Sequence, residues 1–109
     1  MAPLQWGLYE AELDPGVGLS RPVLVVSGEE FNQAMPGVTV LPLTTSKRAL
    51  YPSEVLLPAE EGRLPKDAII MAHQARMISK ARLRRPLGRL EDEGLRAQVR
   101  GALGEHLEI

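Results

Sequence analysis

Nine prolines interrupt this 109-residue chain and leave short segments between them, many of them apolar and rich in β-branched residues. Such segments are typical of short strands separated by turns. The first, about residues 5–13, alternates Tyr9, Ala11 and Leu13 with acidic residues, which predicts a strand with one face in water. Pro22–Ser27 is short and almost entirely apolar, which predicts a strand that starts at its proline and is buried on both faces.

The same pattern continues to residue 79. Val38–Thr44 predicts a strand in which Pro42 marks an edge position or a bulge, and one helical turn is expected before it at Glu29–Met35. Further strands are expected at Glu54–Leu57 and Ala68–Ala72, and His73–Ser79 either extends the last of these or forms another.

The period of the apolar residues changes near the C-terminus. Five of them recur at helical spacing and form one stripe: Leu95, Val99, Ala102, Leu103 and Leu107. Acidic residues 91–93 stand in the first turn of this helix, where they complement its dipole. Many short strands and one amphipathic helix predict a mainly β (α+β) fold, a small antiparallel β-barrel with the helix docked on it. No linker or repeat divides the sequence, so a single domain over residues 1–109 is expected.

Composition excludes several kinds of site. The chain has no cysteine and two distant histidines, His73 and His106, so we expect neither a metal nor another cofactor. No apolar run approaches the ~18 residues of a membrane span, and the N-terminus lacks the features of a signal peptide, so a cytoplasmic protein without membrane contact is expected. So small a core often gains stability by pairing with a second copy or a partner.

Two features in the first half of the chain suggest chemistry. Arg21 is the only basic residue among residues 1–46. Its guanidinium either grips a phosphate or carboxylate, or forms an ordinary salt bridge with an acid of residues 10–14. The hydroxyls of Thr44–Ser46 follow a strand, where they either position a phosphate or sugar oxygen or satisfy backbone groups in a turn.

A basic stripe follows in the second half. Residues 76–89 contain six bases and no acid: Arg76, Lys80, Arg82, Arg84, Arg85 and Arg89. The stripe suits a polyanion such as RNA, and it equally suits an acidic partner peptide or a solvated face. His73 lies just before it, beside Gln74, and is a candidate general base.

Taken together, these segments resemble the MazF/PemK family of toxin endoribonucleases, from about Leu8 to the C-terminus. The matching landmarks, in chain order, are Tyr9–Pro15, Arg21–Ser27, Phe31-Asn32, Val40–Ser46, Leu64–Asp67, Gln74–Arg76, Lys80–Leu83 and Gly88–Leu90. Each landmark alone is common. An Arg-Pro-aliphatic strand followed at this spacing by Pro-Leu-Thr, and later by Gln-x-Arg, is a specific combination.

The resemblance implies an SH3-like barrel that works as a homodimer and cleaves single-stranded RNA, in particular mRNA, at a short sequence motif without a metal ion. The catalytic arginine and threonine of the family fall on Arg21 and Thr44. The resemblance also implies RNA contacts at Thr45, Ser46, His73, Gln74, Arg76, Lys80 and Arg82. The partner it implies is an antitoxin with an acidic, disordered tail that blocks the RNA groove.

Four departures from the family pattern leave alternatives open, and one of them is Met77 and Ser79 in place of the usual Thr and Asp. Gln5–Gly7 replaces a usual charge pair, and the loop at residues 16–20 is about four residues shorter than is usual. His73 stands where the family has an acid, so it either transfers a proton or marks a site no longer in catalytic use. The alternatives to a nuclease are therefore a module of the same fold that binds RNA or an acidic partner without cleaving, or a gyrase poison.

Overall fold

The computed structural model describes residues 2–14, 16 and 18–109. Within that part, seven strands are found: β1 (Gly7–Ala11), β2 (Arg21–Val25), β3 (Gly37–Thr44), β4 (Glu54–Leu57), β5 (Ala68–Met71), β6 (Arg76–Ser79) and β7 (Leu83–Arg89). The same residues contain three α-helices: α1 (Glu29–Ala34), α2 (Ala59–Gly62) and α3 (Glu93–Leu107). Short 3₁₀ turns occupy Ala72–Gln74 and Lys80–Arg82.

The strands form one antiparallel sheet in the order β4-β5-β3-β2-β1-β7, and β6 pairs with β3 beside this path. The path is open, because β4 and β7 are not paired with each other in the described part of the chain. The mainly β architecture with a C-terminal helix agrees with the prediction from the sequence.

β2 is buried on both faces, as its apolar run predicts. Val23 and Val25 belong to one core cluster, which also contains Val38, Val40 and Ile78. The intervening side chain, Leu24, belongs to the second cluster, which continues to β4, β5 and α3. Successive side chains of a strand point to opposite faces, so β2 joins the two cores.

β3 shows what the prediction for Pro42 means. The strand as a whole is paired with β2 on one side and with β6 and then β5 on the other, but the registers of the described residues pair Pro42 itself only with Val23 of β2. Residues 37–40 pair with β6, and Leu43 and Thr44 pair with β5. Pro42 lies where β3 changes partner, and a residue without a backbone donor is tolerated at this point of the ladder.

Several boundaries differ from those expected. β1 covers Gly7–Ala11 instead of residues 5–13, because Trp6 has a left-handed backbone (φ 69°) that ends the extended run. Pro22 is the second residue of β2, after Arg21. The turn at Ala72–Gln74 separates β6 from β5, which makes β6 a strand of its own. Two elements are not predicted by the sequence pattern, namely β7 and the four-residue helix α2.

α3 packs against β4 and the Ala72–Gln74 turn through Leu95, Val99 and Ala102, as its apolar stripe predicts. The stripe ends early, because Leu107 is 57% exposed in the last turn. The carboxylate of Asp92 caps the helix by accepting a hydrogen bond from the Leu95 N–H at 2.8 Å. None of the helices in the described residues is both long and apolar enough to span a membrane.

The segment Gln5–Gly7 lacks the charge pair that the resemblance leads us to expect, and other contacts hold it in place. Trp6 is 5% exposed and packs in the same core cluster as α3. The guanidinium carbons of Arg96 and Arg100 lie 5.5 and 5.3 Å from the centre of its ring. Cation–π contact and burial thus attach α3 to the start of β1.

Candidate active site

Arg21 and Thr44 lie at the same end of two neighbouring strands. Arg21 is the first residue of β2 and Thr44 is the last of β3. The last pair in the β2–β3 ladder is Val23 with Pro42, and each candidate lies two residues beyond it. Since the strands are antiparallel, both candidates lie at the same end of the β2–β3 pair, just beyond its ladder.

The salt-bridge alternative for Arg21 is not what the structure contains. Among the described residues, Glu12 pairs with Arg84 at 3.0 Å and Asp14 approaches Arg76 at 3.9 Å, whereas Arg21 forms no ion pair. Arg21 is exposed at the start of the interior strand β2, and its backbone lies opposite Ala11 of β1. Its guanidinium is therefore available to an anion.

The hydroxyl cluster forms a tight local turn. The Thr44 hydroxyl donates to Ser46 Oγ at 3.2 Å, and Thr44 Oγ1 accepts from the Ser46 N–H at 3.3 Å. Thr44 is half-buried, while Thr45 and Ser46 are exposed. The interpretation in which a hydroxyl accepts from a backbone group in a turn is thus correct for Thr44. The same bonds hold its hydroxyl in one place at the strand end.

A buried carboxylate anchors the segment that follows. The side chain of Glu54, the first residue of β4, is completely inaccessible. It accepts two hydrogen bonds from the Arg48 guanidinium, at 2.7 and 2.8 Å, and one from the Tyr51 N–H at 2.8 Å. His73 Nε2 lies 2.9 Å from its other oxygen. The Arg48 guanidinium also stacks on the Tyr51 ring, 4.2 Å from its centre.

These bonds determine the charges in the cluster. The hydrogen bonds from Arg48, then those from His73 and Tyr51, lower the pKa of Glu54 to about 2, against the opposing effect of burial. The same pairing with Glu54 raises the pKa of Arg48. Because an ionised carboxylate can only accept, Nε2 of His73 carries the proton in this contact, and Nδ1 is the ring nitrogen left for another partner.

Arg48 and Glu54 were not predicted from the sequence. A single acid at the first position of an otherwise apolar strand was the available signal. Its partners could not be identified in the same way, because they come from two separate segments, 6 and 19 residues away along the chain.

The basic stripe is only partly free. Arg76 and Arg82 each donate to the carbonyl oxygen of Leu13, both at 3.1 Å, just past the end of β1. Because β1 ends where β2 begins, these two guanidinium groups lie at the same end of the sheet as Arg21. Arg84 is bonded to Glu12, and Arg89 donates to the backbone oxygen of Gln5.

The other predicted RNA contacts are spread more widely. Gln74 is exposed at the end of the turn that begins with Ala72. The backbone N–H of Lys80 donates to the Pro36 oxygen, so Lys80 lies beside the start of β3, at the end opposite to Thr44. The structure therefore brings Arg21, Thr44 and the two guanidinium groups on Leu13 to one end of the sheet, and leaves Lys80 elsewhere.

Comparison with known proteins gives the family. The model of the PemK-like, MazF-like toxins of type II toxin–antitoxin systems matches residues 4–107. The chain is similar to the endoribonuclease MazF9 of Mycobacterium tuberculosis, with 35% identity over 111 residues that cover 94% of this chain and 93% of that protein.

Solved structures agree with this result. An endoribonuclease in complex with its cognate antitoxin, from a mycobacterial species, superposes with a TM-score of 0.83 at 26% identity and covers 99% of this chain and 97% of its own. A MazE–MazF complex from Deinococcus radiodurans gives a TM-score of 0.83 at 28% identity, over 100% and 99% of the two chains. The chain therefore belongs to the PemK/MazF family of type II toxin–antitoxin toxins, the family that its sequence motifs resemble.

Proposed function

We propose that this toxin is an endoribonuclease that cleaves single-stranded RNA, including mRNA, at a short sequence motif without a metal ion, and that it acts in the cytoplasm. The observation that carries the proposal is the position of Arg21 and Thr44, at the same end of adjacent strands and two residues beyond the last pair of their ladder. The name of the relative MazF9, an endoribonuclease, supports the same activity.

The proposed reaction is an internal transesterification. The 2′-oxygen attacks phosphorus and loses its proton, the bond from phosphorus to the 5′-oxygen breaks, and that oxygen gains a proton. The products are a 2′,3′-cyclic phosphate and a 5′-hydroxyl. Arg21 stabilises the negative charge that develops on the phosphoryl oxygens, and the fixed hydroxyl of Thr44 aligns the phosphate.

His73 has two possible tasks in this proposal. Glu54 engages its Nε2, so Nδ1 either accepts the 2′-hydroxyl proton or, when protonated, contacts a phosphate. The pH dependence of kcat in His73→Gln, compared with the wild type, separates these tasks. Loss of one limb of the pH profile identifies the proton acceptor, whereas an unchanged profile with a higher KM identifies a binding contact.

The remaining RNA contacts are proposed at Thr45, Ser46, Gln74, Arg76, Lys80 and Arg82. Of these, Arg76 and Arg82 have the better structural support, because their guanidinium groups meet at Leu13 on the Arg21 side of the sheet. Lys80 has the weakest support, since its backbone lies by Pro36.

The experiment uses purified protein and a long single-stranded RNA in EDTA, with the cut ends mapped. Arg21→Ala and Thr44→Ala should each lower kcat by about 10²–10³-fold, the typical loss for one charge-stabilising group. Thr44→Ser keeps the hydroxyl and should retain most of the activity. Random cuts, or cuts that persist at full rate in Arg21→Ala, would count against the proposal.

We further propose that the protein is a homodimer and that an antitoxin with an acidic tail inhibits it. The solved relatives bound to an antitoxin or to MazE support this partner. Arg85 suits an acidic tail best, since it is exposed and forms no ion pair among the described residues, whereas Arg84 is already bonded to Glu12. Copurification with the antitoxin that is insensitive to charge reversal at Arg82, Arg84 and Arg85 would exclude the stripe as the docking surface.

The second candidate function is a module of the same fold that binds RNA or an acidic partner without cleaving RNA. The observation that favours it is the bonding of Thr44 to Ser46, which satisfies the hydroxyl locally. Intact RNA after prolonged incubation with a protein that binds it would support this candidate.

A further inference from the structure

A groove of about 790 Å³ begins where Thr44 leaves the sheet. One wall is the segment 45–50, the other is the segment 65–67, and the floor is formed by Leu56, Ala68 and Ile69. We propose that this loop groove binds the nucleotide of the RNA next to the cleaved phosphodiester. The inference rests on the proposed ribonuclease function and adds a binding subsite to it.

The groove is continuous with the candidate active site. Thr44 pairs with Ile69, which lies in the floor of the groove. Thr45 and Ser46, the next two residues, are exposed and stand in its wall. An RNA strand held at Thr44 therefore has its neighbouring nucleotide at the mouth of the groove. The volume lies within the range of ordinary small-molecule pockets.

The charge of the groove suits a phosphate backbone. Lys47 and Lys66 are exposed in opposite walls, and neither forms an ion pair among the described residues. Asp67 is the one acid of the lining, and its carboxylate is engaged with the Ala59 N–H at 2.8 Å. The charge of Arg48 is matched by Glu54. The two lysines thus leave the groove net positive, which attracts RNA.

The apolar surface of the groove suits a base. Leu50 and Leu56 are each 47% exposed and both line the groove, together with the buried Ile69. Exposed leucines that share one concave surface mark a binding site more often than leucines scattered singly. Bases of single-stranded RNA are read when they unstack and lie against protein side chains, and the hydroxyls of Thr45 and Ser46 are placed to bond a base edge.

An RNA nucleotide explains the lining better than a protein segment does. A second subunit or an antitoxin segment would also cover the leucines. Neither of these partners, however, explains why the groove begins at Thr44, the residue proposed to align the phosphate. The lysines, hydroxyls and leucines together match the three parts of a nucleotide, namely phosphate, sugar and base.

The first test removes the lysines. Lys47→Gln and Lys66→Gln, singly and together, are compared with the wild type in cleavage and in binding to a 2′-O-methyl copy of the same RNA, which cannot be cut. KM and Kd should rise while kcat stays within a few-fold. The double variant should reduce the slope of log affinity against log salt by about 1.4, since each phosphate contact to a single strand contributes roughly 0.7. Arg63→Gln, an exposed charge outside the groove, is the matched control.

The second test removes the apolar contact. Leu56→Ala should relax the mapped cleavage motif at one position next to the cut, whereas Leu4→Ala should not, although Leu4 is similarly exposed (44%). The proposal is overturned if the double lysine variant keeps the wild-type Kd and salt slope, or if it changes the mass of the oligomer in solution instead of the affinity for RNA. If the wild type binds the RNA but never cuts it, the nuclease function fails, while the loss of affinity in the lysine variants still decides the groove.

Discussion

Glu54 holds together the segments that follow Thr44 in the candidate site. It is a fully buried carboxylate that takes hydrogen bonds from a side chain of the preceding loop, from that loop's backbone and from His73. A buried acid is tolerated only when its charge is compensated, and Arg48 does this in the bidentate geometry that suits a carboxylate. One side chain therefore holds together three segments that are separate in the sequence.

Replacement of Glu54 tests this role. Glu54→Gln keeps the shape but removes the charge that Arg48 and His73 face, and it should lower the free energy of unfolding by about 3 kcal/mol. Urea denaturation at neutral pH measures the change. Glu12→Gln is the control, because the Glu12–Arg84 pair is partly exposed and should contribute about 0–1 kcal/mol. Equal losses in the two variants would contradict the role assigned to Glu54.

The lowered pKa of Glu54 also predicts a pH dependence. The folded pKa of about 2 lies below the ordinary value of 4.5, so Glu54 stabilises the fold fully above pH 4.5 and loses this effect as the pH falls towards 2. The difference in unfolding free energy between the wild type and Glu54→Gln should therefore be constant above pH 4.5 and should shrink below it. A difference that stays unchanged between pH 4.5 and 3 would show that the ion pair does not supply it.

At the level of elements, the sequence predicts what local pattern encodes. Pro22–Ser27 is visible as a doubly buried strand, because burial on both faces leaves a continuous apolar run. The stripe from Leu95 is visible as a helix, because burial on one side leaves a helical period. β7 has neither signal. In the part of the chain that the structure describes it pairs with β1 alone, and Arg84, Arg85 and Pro86 keep it half-exposed, as is usual for a strand at the edge of a sheet. A strand of this kind looks like a basic stripe in the sequence.

The candidate site shows the same limit. Arg21 and Thr44 can be chosen from the family motifs, but their common place just beyond one end of the β2–β3 ladder depends on the register of these strands. The ion pair of Arg48 and Glu54 depends on the path of the loop between β3 and β4, which no periodicity encodes. The sequence motifs therefore identify Arg21 and Thr44, whereas residues that act through tertiary contacts, such as Arg48 and Glu54, cannot be identified from sequence motifs.

The cap of α3 allows a prediction for an element. Asp92→Ala removes the acceptor of the Leu95 N–H and should destabilise the protein by about 1 kcal/mol, while Asp92→Asn should lose less, since its amide oxygen can still accept. Urea denaturation again gives the values. Glu91→Ala, which removes a long contact of 3.8 Å to Arg96 before the helix begins, is the control and should change stability little.

For the whole molecule, the two cores predict one unfolding transition. They lie on opposite faces of the same strands, and β2 contributes Val23 and Val25 to one and Leu24 to the other. Neither core can open without disrupting strands that build the other, so we propose that the chain folds as one domain. Trp6, in the core with α3, and the far-UV circular dichroism should report the same midpoint in urea. Two separate midpoints would divide the chain into two units.

The segment between Thr44 and Glu54 bears on how such a toxin can be neutralised. It is fixed at one end by β3, at the other by β4, and in its middle by Arg48. An inhibitor that worked by pulling this segment away would first have to expose a buried carboxylate and separate it from its guanidinium, at a cost of several kcal/mol. Occupying the surface where the RNA lies demands no such rearrangement. Competition with the substrate therefore requires less free energy than distortion of the toxin, and it leaves the folded site unchanged when the inhibitor leaves.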